Sequence, residues 1–180
     1  MPQPRSHGCG DVIDTVIYAV GGFDSTGAQQ TTLFAFNVNR KTWSILAPLP
    51  QMTILCAGAA YAGRLYVFGS QNNGDTLFEY NPVSNSWATI FPATRPPGRR
   101  AAAAAGTANN FYIMGGVDRN NQVRRDLWQF NRATGLWTQL ADMPGRRCIH
   151  AAYAMAGDSV IYMVGGNFTG TGGNNDSLVY

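Results

Sequence analysis

Arginine is the residue type in this chain that is best suited to do chemistry. The 180 residues include 13 basic side chains, and Lys41 is the only lysine among them. Nine arginines lie between Arg95 and Arg147 against three aspartates, so this stretch carries +6 while the rest of the chain carries −3. A planar guanidinium donates paired hydrogen bonds to carboxylates and phosphates. The charge pattern therefore favours binding of an anionic partner.

A subset of the arginines stands just before short stretches rich in small residues. The members of this subset are Arg5, Arg99, Arg100, Arg146 and Arg147. Two histidines, His7 and His150, follow within a few residues. Each guanidinium could instead pair with a backbone carbonyl or an aspartate inside the fold, and the sequence leaves this alternative open.

Side chains for acid–base or metal chemistry are scarce. The chain has two histidines and a single glutamate, Glu79. No nucleophile–base pair, phosphate loop or metal-ligand spacing can be recognised, so we expect no enzyme activity, no cofactor and no metal. The three cysteines, Cys9, Cys56 and Cys148, cannot all pair. We expect each of them to be a small buried apolar side chain.

A sequence repeat determines where these residues lie. Tyr18, Tyr66, Tyr112 and Tyr162 each precede a glycine by three residues, and those glycines are 48, 46 and 50 residues apart. Three repeats continue with an aromatic–Asn pair and, seven residues after the aromatic, with Trp43, Trp87 or Trp137. A period of this length indicates a repeat architecture built from similar units.

The glycine segments IYAVGG (17–22), LYVFGS (65–70), FYIMGG (111–116) and IYMVGG (161–166) resemble the signature of the kelch repeat. The resemblance covers about residues 5–180. It implies an all-β, kelch-type β-propeller made of four-stranded antiparallel blades. We expect a single domain over 1–180, with blades at about 5–50, 51–94, 99–144 and an incomplete blade at 147–180.

The predicted blades do not suffice for the six- or seven-bladed ring that the resemblance implies. We therefore expect an incomplete ring, a piece of a larger propeller. A small four-bladed ring and an open array closed by a second copy are the alternatives. Open blade edges would allow self-association.

The kelch resemblance also implies that the first strand of each blade lines the crowded axis of the propeller. In blade three this strand covers 100–106 and is almost entirely alanine, which is unusual for a strand but suits the innermost position. The corresponding strands of blades one and four are expected at about 7–13 and 148–156. A glycine-rich loop follows at 167–174.

The kelch resemblance implies that loops between blades form a binding face, as in the BTB–kelch ubiquitin-ligase adaptors, where arginine and serine hold acidic peptides. On this chain the expected face contains Arg5, Ser6, Arg99, Arg100, Arg146, Arg147 and His150, joined by Gln71, Asn72, Asp118, Arg119 and Asn120. We therefore expect a protein-interaction module that binds a protein or acidic peptide.

Other functions are weighed against this expectation. The chain could be a fragment of a galactose-oxidase-like or sialic-acid-mutarotase-like propeller enzyme, or of a carbohydrate-binding protein, with its active residues elsewhere. The dense Arg119, Arg124, Arg125 and Arg132 are better explained as a solvated basic edge than as a nucleic-acid site. No apolar run is long enough to cross a membrane and no secretory signal is visible, so we expect a cytoplasmic location.

Overall fold

The computed structural model describes residues 1–72, 74–154, 160–167 and 177–179, the last of these as backbone only. Within them the chain forms 17 β-strands and no helix. Most strands belong to successive antiparallel sheets, each built from one repeat. The all-β prediction with four-stranded blades is therefore confirmed for the first three repeats.

Strands are numbered in chain order, and each blade pairs its strands in that order from the inside outwards. Blade one contains β1 (Cys9–Ile13), β2 (Val16–Val20), β3 (Leu33–Asn37) and β4 (Thr42–Leu46). Blade two contains β5 (Ala57–Tyr61), β6 (Arg64–Phe68), β7 (Leu77–Asn81) and β8 (Ser86–Ile90). Blade three contains β10 (Ala103–Gly106), β11 (Phe111–Met114), β13 (Leu127–Asn131) and β14 (Leu136–Gln139), with a separate pair of β9 (Arg99–Arg100) and β12 (Val117–Asp118). Blade four contains β15 (Ala151–Tyr153), β16 (Tyr162–Val164) and β17 (Ser177–Val179).

Neighbouring blades pack through their inner strands and share a hydrophobic cluster at each junction. Leu33 and Tyr80 lie in the cluster between blades one and two. Phe68 and Phe111 lie in the next cluster, and Met114 and Met163 in the last. The described blades form an arc that does not close into a ring. Each blade is therefore stabilised mainly by its nearest neighbours, as in other repeat proteins.

The inner strands are crowded, which explains their small residues. Ala103 and Ala105 of β10 are 4% and 3% exposed. A Cβ on Gly106 would overlap the carbonyl oxygen of Ala60, and one on Gly58 would lie 3.0 Å from Cys9 Sγ. The alanine-rich strand of blade three is thus a β-strand at the axis, as predicted.

The backbone conformation and the close approach of a neighbouring chain segment require glycine at the end of the second strand of each blade. Gly21, Gly69 and Gly115 have φ angles of +69°, +78° and +59°. A Cβ on Gly21 or Gly69 would lie 2.5 Å from a carbonyl oxygen of the next blade. Only glycine combines this conformation with so close an approach of two backbones.

The inner strands begin later than the sequence predicts. In blade three the predicted strand 100–106 is divided, because Ala101 has a φ of +53° and ends β9 before β10 begins. In blade one the strand begins at Cys9, since His7 has a φ of +58°. In blade four β15 covers only Ala151–Tyr153 of the predicted 148–156, of which 155 and 156 lie outside the described residues. Most of the predicted loop 167–174 also lies outside them.

The expectation that each cysteine is merely a small buried apolar side chain is wrong for two of them. Cys9 on β1 and Cys56 just before β5 form a disulfide between blades one and two, with Cα atoms 5.8 Å apart. Cys148 is free and buried, as predicted. Among the described residues, no helix has the length and apolar character needed to cross a membrane.

Candidate anion-binding face

Four residues with left-handed backbone lie just before the inner strands of the four blades. His7, Leu55, Ala101 and Ile149 occupy the same place in each repeat and have φ angles of 58°, 55°, 53° and 52°. The N–H of each of the last three donates to the carbonyl of the preceding residue in the series, at 2.8, 2.7 and 2.9 Å. We call these four residues the channel mouth. Their hydrogen bonds fix the loops that carry most of the predicted arginines.

The side chain of Arg99 makes its hydrogen bonds inside blade three. Its side chain is completely buried, and Nη1 and Nη2 donate to the two carboxylate oxygens of Asp126 at 2.8 Å each. Nη1 also donates to the carbonyl of Gly115 at 2.9 Å. Burial alone would raise the pKa of Asp126, but the hydrogen bonds and charge of Arg99 outweigh it and hold that pKa below its usual value. These contacts leave Arg99 no access to a ligand.

Arg147 occupies the equivalent position in blade four. It is 4% exposed, and its Nη1 donates to the carbonyl of Gly165 at 2.7 Å. In blade two the same position is Thr53, whose hydroxyl donates to the carbonyl of Gly69 at 3.0 Å. The position therefore supplies a donor to the first glycine carbonyl in three blades, which is the internal pairing that the sequence left open.

Arg5 and Ser6 lie at the far end of the arc. The guanidinium of Arg5 stands over the ring of Phe34, 5.1 Å from its centroid, and Nη2 lies 3.5 Å from the hydroxyl of Thr32. Ser6 pairs through its backbone with Phe23. Arg5 lines a cavity of about 380 Å³ beside His7 and does not share one with Arg100.

Arg100 and Arg146 come together at the channel mouth. Both line a cavity of about 460 Å³ between blades three and four, with Ile149 and Leu55 as apolar neighbours. Nη2 of Arg100 donates to the side chain of Asn121 at 2.9 Å. The exposed guanidinium of Arg146 has no hydrogen bond or ion pair within the described part of the chain. We call this space the mouth cavity.

The predicted loop residues play different parts. Asp118 is buried and accepts the backbone N–H groups of Asn120 and Gln122 at 2.8 and 2.9 Å, so it shapes the loop of blade three. The remaining predicted loop residues are exposed and do not line the mouth cavity: Gln71, Asn72, Arg119 and Asn120.

His150 fills the junction between blades three and four. A Cβ placed on Gly115 would lie 3.1 Å from its Cε1, and one placed on Gly166 would lie 2.8 Å from its Cβ. Neither ring nitrogen has a partner among the described residues. Burial, assisted by the charge of Arg147, lowers the pKa of His150 to about 4, so the ring is neutral at pH 7. A neutral, enclosed imidazole is suited to packing rather than to holding an anion.

The residues that the sequence prediction missed lie outside the channel mouth. Arg124 and Arg125, which were missed, line a second cavity of about 270 Å³ together with the predicted Arg146, and this cavity reaches the outer strand β14 at Gln139. We call it the outer cavity. The sequence signal for this cavity is the high density of arginines in this stretch. A sequence alone does not show whether such arginines line a cavity or form a solvated edge. In the described parts of the chain, no group of three or more His, Cys, Asp or Glu residues is arranged to hold a metal ion.

Comparison with known proteins agrees with this architecture. A family model described as the KLHDC2/KLHL20/DRC7 Kelch-repeats domain matches residues 1–180. The Kelch-like protein terF of Aspergillus terreus is 30% identical over 92% of this chain and 39% of its own length. Kelch-like protein 36 of Rattus norvegicus is 30% identical over 93% of this chain and 28% of its own length.

An enzyme also occurs among the relatives. The N-acetylneuraminate epimerase of Pasteurella multocida is 31% identical over 75% of this chain and 37% of its own length. The chain thus spans less than two-fifths of each of these relatives. Since the family model covers every blade, the chain belongs to the kelch-repeat family.

Proposed function

We propose that this chain is a protein-interaction module that binds an acidic segment of a partner protein at the mouth cavity. The observation that carries the proposal is the pair Arg100 and Arg146 on one cavity, beside the exposed apolar side chain of Ile149. Guanidinium groups bind carboxylates through charge-assisted hydrogen bonds. Similarity to Kelch-like proteins supports a non-catalytic role.

The proposal narrows the set of arginines that the sequence suggests. Arg99 and Arg147 are occupied inside their blades, whereas Arg100 and Arg146 face the cavity. A ligand at this place would exchange part of its hydration for guanidinium contacts and cover Ile149. Binding should therefore combine a salt-dependent and an apolar contribution.

The test uses a fluorescein-labelled peptide with two glutamates on either side of a central isoleucine, measured by fluorescence anisotropy. Removing one guanidinium by Arg100→Gln or Arg146→Gln should weaken binding roughly ten-fold. Binding should also weaken as sodium chloride is raised. Arg40→Gln, an exposed arginine in blade one, is the matched control. Binding that survives both substitutions and high salt would refute the proposal.

A second candidate function rests on the epimerase relative. The chain could be the part of a sialic-acid enzyme that carries no catalytic residues of its own, in which case the mouth arginines would hold the sugar carboxylate. Saturation-transfer NMR with N-acetylneuraminate tests this directly. Saturation transfer that Arg100→Gln abolishes would favour the enzyme fragment, and absence of transfer would favour the interaction module.

Two further parts of the proposal concern assembly and location. The exposed faces of blades one and four are proposed to bind a second copy of the chain. A cytoplasmic location is part of the proposal, and the Cys9–Cys56 disulfide is the observation that weighs against it, because disulfides are rare in reducing compartments.

A further inference from the structure

The outer cavity is built by two segments, one inside blade three and one that leads from blade three to blade four. One segment carries Arg124 and Arg125 after the blade-three loop, and the other carries Asp142 and Arg146 between blades three and four. Two backbone hydrogen bonds join them, from Met143 N–H to the carbonyl of Arg125 at 2.8 Å and from Arg147 N–H to the carbonyl of Arg124 at 3.0 Å. The three arginines are therefore brought to one cavity by fixed backbone.

Most of the guanidinium donors around this cavity remain available. A guanidinium carries five N–H donors. Arg125 is 57% exposed and pairs with Asp142 through Nε at 2.9 Å. Arg124 is 42% exposed, and its contacts with Asp118 and Asp126 are long, at 3.5 and 3.9 Å. The side chain of Arg146 has no partner in the described part of the chain.

The aspartates near the outer cavity do not neutralise it. Asp126 is 4% exposed and accepts two hydrogen bonds from Arg99 and one, at 2.7 Å, from the indole of Trp128. The negative charge of Asp126 is therefore balanced by the guanidinium of Arg99, which does not line the cavity. Asp142 balances only one of the three lining arginines. The cavity thus presents an excess of positive charge to a ligand.

The outer cavity adjoins the mouth cavity. Gln122, Val123 and Arg146 line both of them. An extended peptide could therefore run from Arg100 at the channel mouth, past Arg146, to Arg124 and Arg125 near the outer strand.

We propose that the outer cavity binds a phosphate monoester, the phosphoserine or phosphothreonine of a segment whose carboxylates occupy the mouth cavity. A phosphate monoester carries about −1.5 to −2 charges at pH 7 and three acceptor oxygens, which matches several converging guanidinium groups better than a single carboxylate does. The inference rests on the proposed function for the identity of the partner. The anion site itself can be tested without it.

The first experiment measures the site alone. Thermal unfolding is followed with sodium phosphate or sodium chloride at equal ionic strength, for the wild type, Arg125→Gln and the control Arg40→Gln. Inorganic phosphate should raise the Tm of the wild type and of the control but not that of Arg125→Gln. Equal Tm shifts in all three proteins would overturn the phosphate site. Arg125 is largely exposed, and the melts without phosphate show whether its substitution leaves the fold intact.

The second experiment tests the partner. Two labelled peptides are compared that differ only in serine or phosphoserine, placed four residues from the Glu–Glu–Ile–Glu–Glu core. Phosphorylation should tighten binding about ten-fold in the wild type, and Arg125→Gln should remove this gain while leaving the unphosphorylated peptide unaffected. Arg100→Gln should weaken both peptides.

The outcomes separate the two proposals. If the unphosphorylated peptide binds through Arg100 but phosphoserine adds nothing, the phosphate inference fails and the proposed function stands. If neither peptide binds although inorganic phosphate raises the Tm through Arg125, the proposed function fails and the anion site stands. A gain from phosphoserine that persists in Arg125→Gln would also overturn the inference.

Discussion

At the scale of single residues, neighbouring arginines have opposite roles. Arg99 and Arg100 are adjacent on β9, and successive side chains of a strand point to opposite faces. Arg99 enters blade three and meets Asp126, whereas Arg100 faces the mouth cavity. In blade four Arg147 is buried and Arg146 is exposed, although neither of them lies in a strand. One arginine of each pair serves the interior of the fold and the other lines the mouth cavity.

Substitution of the buried member should therefore affect stability strongly. Arg99→Ala leaves Asp126 buried without its partner and should lower the free energy of unfolding by about 3–5 kcal/mol. Arg95→Ala removes a partly exposed pair with Asp75 and should cost about 1 kcal/mol or less. Urea unfolding followed by tryptophan fluorescence measures both. Similar losses for the two variants would contradict an internal role for Arg99.

At the scale of elements, the junction between blades one and two is held by hydrogen bonds and a disulfide in addition to its hydrophobic cluster. The indole of Trp87 donates to the carbonyl of Ala47 at 2.8 Å, and the N–H of Ala47 donates to the side chain of Asn85 at 2.9 Å. The Cys9–Cys56 disulfide adds a covalent link at the inner edge of the same junction. Blades one and two are therefore joined at both their inner and outer strands.

The disulfide should contribute measurably to stability. It joins cysteines 47 residues apart, and opening a loop of this size by Cys56→Ser should lower the free energy of unfolding by about 2–4 kcal/mol. Thermal melts with and without dithiothreitol measure the effect. Cys148→Ser, at the free cysteine, is the control and should keep its sensitivity to the reductant. A wild-type Tm unchanged by reductant, with three titratable thiols before it is added, would refute the pairing.

The sequence predicts the elements better than the side-chain partners. The glycine and tryptophan spacing locates the strands because every repeat must build the same sheet, and the three complete blades follow it. The turn at Ala101 is not visible in a run of alanines, so β9 could not be separated from β10. The cysteine pair could have been predicted, since a separation of 47 residues is close to the repeat length and places both residues at the start of neighbouring inner strands. The pairing of Arg99 with Asp126 depends on the direction of one side chain, which a spacing pattern does not contain.

At the scale of the whole molecule, the last described face differs from the internal ones. Val164 precedes the glycine pair of blade four and is 56% exposed, whereas Met114 at the same position of blade three is 0% exposed. Tyr162 on the same strand is 43% exposed, and Tyr66 at its position in blade two is 0% exposed. Blade four therefore exposes apolar side chains at positions that are buried in blades two and three.

The chain alone should therefore self-associate. Light scattering on a sizing column should give a molar mass above that of a monomer, and Val164→Asp should shift it towards the monomer because a charge opposes burial of this face. Val83→Asp, in an exposed turn of blade two, is the control and should leave the mass unchanged. A monomeric wild type would contradict the proposed association.

The hydrogen bonds of the channel mouth all run from a later blade to an earlier one, which matches the order in which the chain is synthesised. In each of them the acceptor, such as the carbonyl of His7 or Leu55, belongs to the earlier blade, and the donor belongs to the later one. A ribosome synthesises the N-terminal blades first, and domains tend to fold in that order. Every donor thus leaves the ribosome when its acceptor is already in place. The emerging chain can add one blade at a time to a finished edge.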